Sequence, residues 1–290
     1  MMQLINNNFS RFVVAFMACL SSACTPVKVL NSLVPETSYE LVSAIEYGAN
    51  ARQQLDIYRP KTAEKSAALK KVIIFYYGGN WDSGERADYK FVAEALTSQG
   101  FIVVIPDFRL YPEVLFPGLM ADPATAAKWV KANINQYGGD ANKVFLAGHS
   151  SGAHLVVMMA INPEYLAQAS LKPNDFAGVI GLAGPYDFLP LKSDRLKVIF
   201  GSDAEQWKSQ PINFVDGKNP PLLLAVGMKD GTVWPRNSIN LAKKIKDNNG
   251  LVEVAEFANY GHIDMVTKLA KPLRGDGELL KAITLFINSH

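Results

Sequence analysis

Cysteine is almost absent from this chain. Its two cysteines, Cys19 and Cys24, both precede residue 25 of 290. A bridge between them would staple nothing folded, so they supply no disulfide framework and say little about redox compartment. An excess of one charge is also missing: 29 Lys and Arg against 27 Asp and Glu leave a net charge of +2. That balance is too mild to imply a nucleic-acid or anionic-membrane partner. No internal apolar run reaches the roughly 20 residues that span a bilayer. Internal repeats and low-complexity segments are lacking too. Histidine is scarce, with four in the chain. What is present is ordinary globular material, 49% hydrophobic and 19% charged, enough for one large core in a single domain.

The N-terminal stretch stands apart. Arg11 precedes FVVAFMACL (Phe12 to Leu20), and SSACTP follows. A basic residue, a short apolar run and small residues together make an export signal. The run ending at Cys24 resembles a bacterial lipoprotein signal, in which the cysteine becomes the lipidated first residue. That pattern has leucine three residues before the cysteine, where this chain has Ser21, with Leu20 one further back. The expectation is a signal over residues 1–23, a tether over 24–38 and one folded domain over 39–290. The chain would be exported and membrane-tethered through lipidated Cys24, facing the periplasm or belonging to the outer membrane. Periplasmic or secreted placement without the lipid is the alternative.

From residue 39 onward, strand and helix patterns alternate. YELVSAIEYG and RQQLDIYRP read as strands, KTAEKSAALK as a solvated loop and KVIIFYY as a strand buried on both faces. Helix GERADYKFVAEALTSQG, strand FIVVIPDFR, helix DPATAAKWVKANINQYGG and strand KVFLAG follow. The pattern continues through a helix after VFLAGHSSG, strands FAGVIGLAG and PPLLLAVG, helix PRNSINLAKKIKDNNG, strand VEVAEF and helix GELLKAITLFINS. Such alternation predicts right-handed crossovers and an α/β architecture whose mostly parallel sheet is covered on both faces. Residues 185 to 219 break the rhythm and form a candidate partial cap. Ligands of such sheets bind beyond the carboxyl ends of the strands, so a catalytic group should directly follow one.

Ser150, in Gly148-His149-Ser150-Ser151-Gly152, meets that condition between a buried strand and a helix. Flanking glycines permit the strained turn that holds a nucleophilic serine. Of the possible bases, His149 neighbours the nucleophile and should project elsewhere. His154 should pack beneath the turn, and His290 is the last residue. His262, after VEVAEF, is left as the base. Asp230, after PPLLLAVG, is the expected orienting carboxylate. Asp264 is a rival two residues after the histidine, and Asp203 and Asp216 lie in the excursion. Serine, aspartate and histidine occur in the chain order of α/β-hydrolase triads. Gly78 and Gly79 could aim backbone amides at an oxyanion, together with the amide of Ser151.

The motifs YGGNW, DFRLYP, YGGDANKVFLAGHSSGAHL, GMKDGTVWP and YGH run from about Tyr47 to the C-terminus. They resemble the α/β-hydrolase esterases: carboxylesterases related to hormone-sensitive lipase, isoprenylcysteine methylesterases, feruloyl and acetyl-xylan esterases, and kynurenine formamidases. The resemblance implies the α/β-hydrolase fold and a serine carboxylesterase acting on short-chain or small soluble esters. It implies oxyanion donors at the amides of Gly79, Asn80 and Ser151, and no metal or cofactor. The family loop reads His-Gly-Gly-x-Trp; here Tyr77 takes the histidine's place, which bears on loop support rather than on the triad. Asp107 and Arg109 are expected to form a structural ion pair, and Arg274-Gly275-Asp276 matches an adhesion tripeptide by chance. Trp81, Tyr186, Phe188 and Trp234 follow predicted strands and are candidate pocket walls. An arylformamidase-like amide hydrolase, a peptidase with a further domain and a catalytically silent binding protein are the competing readings.

Overall fold

The structure, a computed structural model, describes residues 26–61 and 68–290. The export and lipidation pattern, with Cys19 and Cys24, lies outside them. Among the described residues there are eight strands: β1 Tyr39–Glu46, β2 Gln54–Pro60, β3 Lys70–Tyr76, β4 Ile102–Pro106, β5 Gly139–His149, β6 Gly178–Leu182, β7 Leu222–Gly227 and β8 Val252–Phe257. They form one sheet in the order β1-β2-β4-β3-β5-β6-β7-β8. β2 runs antiparallel to both β1 and β4. From β4 through β3 to β8 every pairing is parallel. A short turn through 47–53 allows the antiparallel hairpin, whereas parallel neighbours need crossovers.

The helices are α1 Pro26–Ser32, α2 Lys90–Thr97, α3 Ala121–Asn133, α4 Ser151–Ile161, α5 Pro163–Ala167, α6 Asp194–Phe200, α7 Arg236–Asp247, α8 Asp264–Thr267 and α9 Glu278–Ser289. α2 packs on β4 and β2, α4 on β5 and β6, and α7 on β8 and β7. β4 and β7 are buried along their whole length, so the alternation of a one-faced strand is lost under two layers of helix. Every residue of α4 is buried. A helix that is apolar all round belongs in the deepest core. The turn that leads into it is therefore anchored from below. No helix among the described residues is long and apolar enough to cross a membrane.

The stretch expected as a tether differs in one respect. Residues 26–32 form α1, with Leu30 buried and Val34 partly buried against the core. The Asn31 amide group bonds to the Ala87 carbonyl, and its oxygen accepts from the Phe91 amide. Two apolar residues find cover beside α2, which a purely extended linker would leave in water.

Candidate active site

Strand β5 ends at His149 and α4 begins at Ser151, leaving Ser150 at φ 55° and ψ −122°. A non-glycine residue there costs about 1–3 kcal/mol unless its surroundings impose the conformation. They do. The Ser150 amide donates to the Leu182 carbonyl at 2.9 Å. A Cβ on Gly152 would fall 2.0 Å from the Tyr76 carbonyl oxygen, so α4 starts against the end of β3 at a distance only glycine allows. A Cβ on Gly78 would lie 2.9 Å from that of Ser150, which brings the loop after β3 to the serine.

The Ser150 hydroxyl donates to His262 Nε2 at 2.9 Å. The opposite ring nitrogen, Nδ1–H, donates to Asp230 Oδ2 at 2.8 Å. The second oxygen of Asp230 accepts from the amides of Thr232 (2.9 Å) and Val233 (2.8 Å), and its side chain is wholly buried. Backbone donors thus fix the carboxylate in direction. Serine, histidine and aspartate come from the carboxyl ends of β5, β8 and β7, three strands on one side of the sheet. Asp264 instead accepts from the amide of Gly261 at 2.8 Å and caps its own turn. Asp203 accepts from Gln206, and Asp216 from the amide of Lys218.

Two other histidines take part structurally. His149 turns its ring to within 4.9 Å of the His262 ring and donates from Nε2–H to the His262 carbonyl at 3.0 Å. It makes no bond to the Ser150 hydroxyl, in line with the expectation that it projects elsewhere, and braces the backbone of the base instead. Burial, then the neighbouring His262, pushes its pKa down to about 3. His154 does pack beneath the turn, as expected. It donates to the Ser209 carbonyl at 2.7 Å and accepts from Trp81 Nε1–H at 3.3 Å, joining the loop after β3 to the excursion. Burial lowers its pKa to about 4. His290 lies 4.8 Å from the Phe286 ring.

Gly79, Asn80 and Trp81 follow one another at φ 143°, 52° and 63°. For a bulky tryptophan this is a strained setting. Its edge contact with Phe200, at 4.9 Å, and its bond to His154 hold it there. Among the described residues, no group accepts from the amides of Gly79, Asn80 or Ser151, and Asn80 lines the same cleft as Ser150. Tyr77, in the histidine's place, stacks between Phe108 (4.7 Å) and Tyr89 (5.4 Å). Its hydroxyl donates to Asp107 at 2.7 Å and accepts from Arg52 at 2.9 Å. The expected Asp107–Arg109 pair does not form. Asp107 binds Arg86, while Arg109 binds Asp122 at 2.6 Å, so each takes a partner from a different segment of the chain. Sequence reading missed Arg52 and Arg86, which carry no motif. Arg274 pairs with Glu94 and so serves packing.

A cleft of about 620 Å³ opens at Ser150. Trp81, Phe188 and Trp234 line it, with Leu189, Leu191 and Leu196 from the excursion. Tyr186 does not. It is completely buried, with its hydroxyl 2.0 Å from where a Gly181 Cβ would sit. The Asn237 carboxamide accepts from the amides of both Tyr186 (2.9 Å) and Asp187 (2.8 Å), which turns that ring onto β6 and into the core.

This sheet order, crossover pattern and strand-to-helix turn define an α/β-hydrolase. The chain matches the BD-FAE family over residues 55–245 and belongs to it. It is 26% identical to a probable isoprenylcysteine alpha-carbonyl methylesterase of Arabidopsis thaliana, covering 82% of this chain and 60% of that protein. It is 27% identical to Esterase LipC of Mycobacterium tuberculosis, covering 83% and 63%. The chain thus spans about three fifths of the length of these curated relatives. Among solved structures, Esterase B from Lactobacillus rhamnosis superposes with a TM-score of 0.76 at 22% identity, over 96% of this chain and 95% of that one.

Proposed function

We propose that the protein is a serine carboxylesterase that hydrolyses small carboxylic esters through an acyl-enzyme. The observation that carries this reading is the continuous hydrogen-bonded chain from Ser150 through His262 to Asp230 at the mouth of an apolar cleft. The esterase relatives support the reaction class.

In the first step Ser150 Oγ bonds to the ester carbonyl carbon while its proton passes to His262 Nε2. Asp230 holds the ring with Nε2 unprotonated in the resting state and stabilises the cation that forms. The developing oxyanion sits among the amides of Gly79, Asn80 and Ser151; losing one such donor costs about 2.7–4 kcal/mol of barrier. The carbon–oxygen bond to the alcohol then breaks, and His262 returns its proton to the leaving oxygen. Water adds to the acyl-enzyme with the same histidine as base, releasing the acid and restoring Ser150.

The short excursion over the cleft favours small soluble esters over long-chain lipids. Hydrolysis of p-nitrophenyl acetate, butyrate and octanoate should fall to background in Ser150→Ala and in His262→Ala. Activity that survives Ser150→Ala overturns the mechanism. Faster turnover of an N-formyl anilide than of the esters would favour an amide hydrolase. The N-terminal pattern supports export with a lipid on Cys24. Palmitate labelling that persists in Cys24→Ala would overturn the tether.

A further inference from the structure

We infer that the cleft beside Ser150 selects esters carrying an anionic group, a carboxylate in the simplest case, with Lys192 and Arg236 as the recognising cations. The inference rests on the esterase reading above and names the substrate class of that same site.

Among the described residues two charged side chains line the cleft, Lys192 and Arg236, and both are cations; no described Asp or Glu lines it. They come from different elements, Lys192 from the excursion and Arg236 from the start of α7, and share this one cleft. Of the acids beside lining residues, Asp230 is bonded to His262, Asp194 pairs with Lys197 at 3.2 Å, and Asp82 pairs with Arg195. Asp187 accepts from the neutral Asn240 amide at 2.8 Å and does not itself line the cleft.

Arg236 is unusual in this molecule. The other described arginines, Arg52, Arg59, Arg86, Arg109, Arg195 and Arg274, each pair with a carboxylate. Among the described residues Arg236 alone of the arginines does not; its guanidinium lies 5.1 Å from the centre of the Trp234 ring. Trp234 lines the cleft too, so the stack keeps the cation at its mouth. The position is also locally unfavourable. Arg236 opens a 12-residue helix with no acidic residue in its first turn, where the helix dipole opposes a cation. A residue that breaks a local rule inside a cleft marks a functional position. Its planar fork matches a carboxylate bidentately, with Lys192 as the second point of positive charge. The concave shape and its size suit a small molecule.

Both cations are solvent-exposed, so each contributes modestly, about two- to fivefold in specificity, and salt screens the effect. The charge sits away from the reacting carbonyl, which places the effect in KM rather than kcat.

The test uses two matched pairs with the full chain. In 3-acetoxybenzoate and its methyl ester, the charge is on the alcohol side. In monophenyl adipate and phenyl hexanoate, it is on the acyl side. The expected result is lower KM for the anionic member of at least one pair. That selectivity should fall about tenfold in Lys192→Glu/Arg236→Glu and shrink in 0.5 M NaCl for the unaltered protein. The pair that responds identifies which side carries the charge. Turnover of the neutral esters with no anionic preference in either pair overturns this inference and leaves the esterase reading standing. A preference unmoved by both the double substitution and salt also overturns it. No turnover of any ester overturns the reading on which it rests.

Discussion

The floor and the roof of the cleft are held together in different ways. The floor is backbone: Ser150 is bonded to β6, α4 is pressed against β3 at Gly152, and Asp230 is gripped by its own turn. The roof, from β6 to β7, has little regular structure beyond α6. It is fastened by side chains that reach across: His154 to Ser209, Asn237 to Tyr186 and Asp187, Gln210 to the Phe188 amide, and Arg195 to Asp82. A backbone contact tolerates almost no displacement, whereas a side-chain latch can be lost singly. The floor should therefore fail in an all-or-none manner and the roof by degrees.

The sharpest break in that comparison is chemical. Asp230→Asn should lower kcat/KM by about 10⁴-fold, since the wrong tautomer of His262 is then held. The unfolding midpoint should barely move, because the amide oxygen still accepts from the turn. A large loss of stability would contradict the division of roles. Gly152→Ala comes next. Its new Cβ meets backbone rather than a mobile side chain, and urea unfolding should show a loss of about 4 kcal/mol or no folded protein at all.

On the roof side, His154→Leu strands the Ser209 carbonyl and the Trp81 indole N–H. Stability should fall by about 2–4 kcal/mol, while kcat/KM falls by no more than about tenfold. Equal damage to turnover and to folding would erase the distinction between floor and roof.

Acid sharpens it in another way. His149 and His154 have folded-state pKa values of about 3 and about 4, below the ordinary 6.5. Between pH 6.5 and those values the unfolded chain binds more protons than the folded one, so stability falls as pH falls. Each histidine contributes a slope of about 1.4 kcal/mol per pH unit in that window. Asp122, whose pKa is lowered, is still ionised in both states above pH 5 and adds its loss only in stronger acid. A flat unfolding midpoint from pH 6.5 to 4.5 would show that neither ring is held neutral by burial. The smallest effect belongs to the Arg195–Asp82 latch. Arg195 is 47% exposed, so Arg195→Ala should cost about 0.5–1 kcal/mol, visible mainly as a raised KM.

The legible and illegible parts divide along physical lines. Strands β3 to β7 were readable because burial on both faces leaves uninterrupted apolar runs. Ser150, Asp230 and His262 were readable because a parallel sheet brings the residues after its strands to one edge. Arg86 and Arg52 were not, since an arginine's partner depends on which strands lie side by side. The Asp107–Arg109 expectation failed for the same reason: the folded chain brings Arg86 to Asp107 and Asp122 to Arg109 from other segments. Tyr186 failed because the Asn237 carboxamide, 51 residues further along, turns its backbone toward the core.

By itself the sequence determined the order of strands and helices, the strained turn at Ser150 and the three residues that converge on it, because period, glycine placement and chain order are local properties. Only the tertiary structure decided the partners of the buried ions and histidines, how the excursion is fastened, and the gathering of Lys192 and Arg236 in one cleft. Those depend on contacts between segments far apart in the chain, for which no local pattern carries a signal.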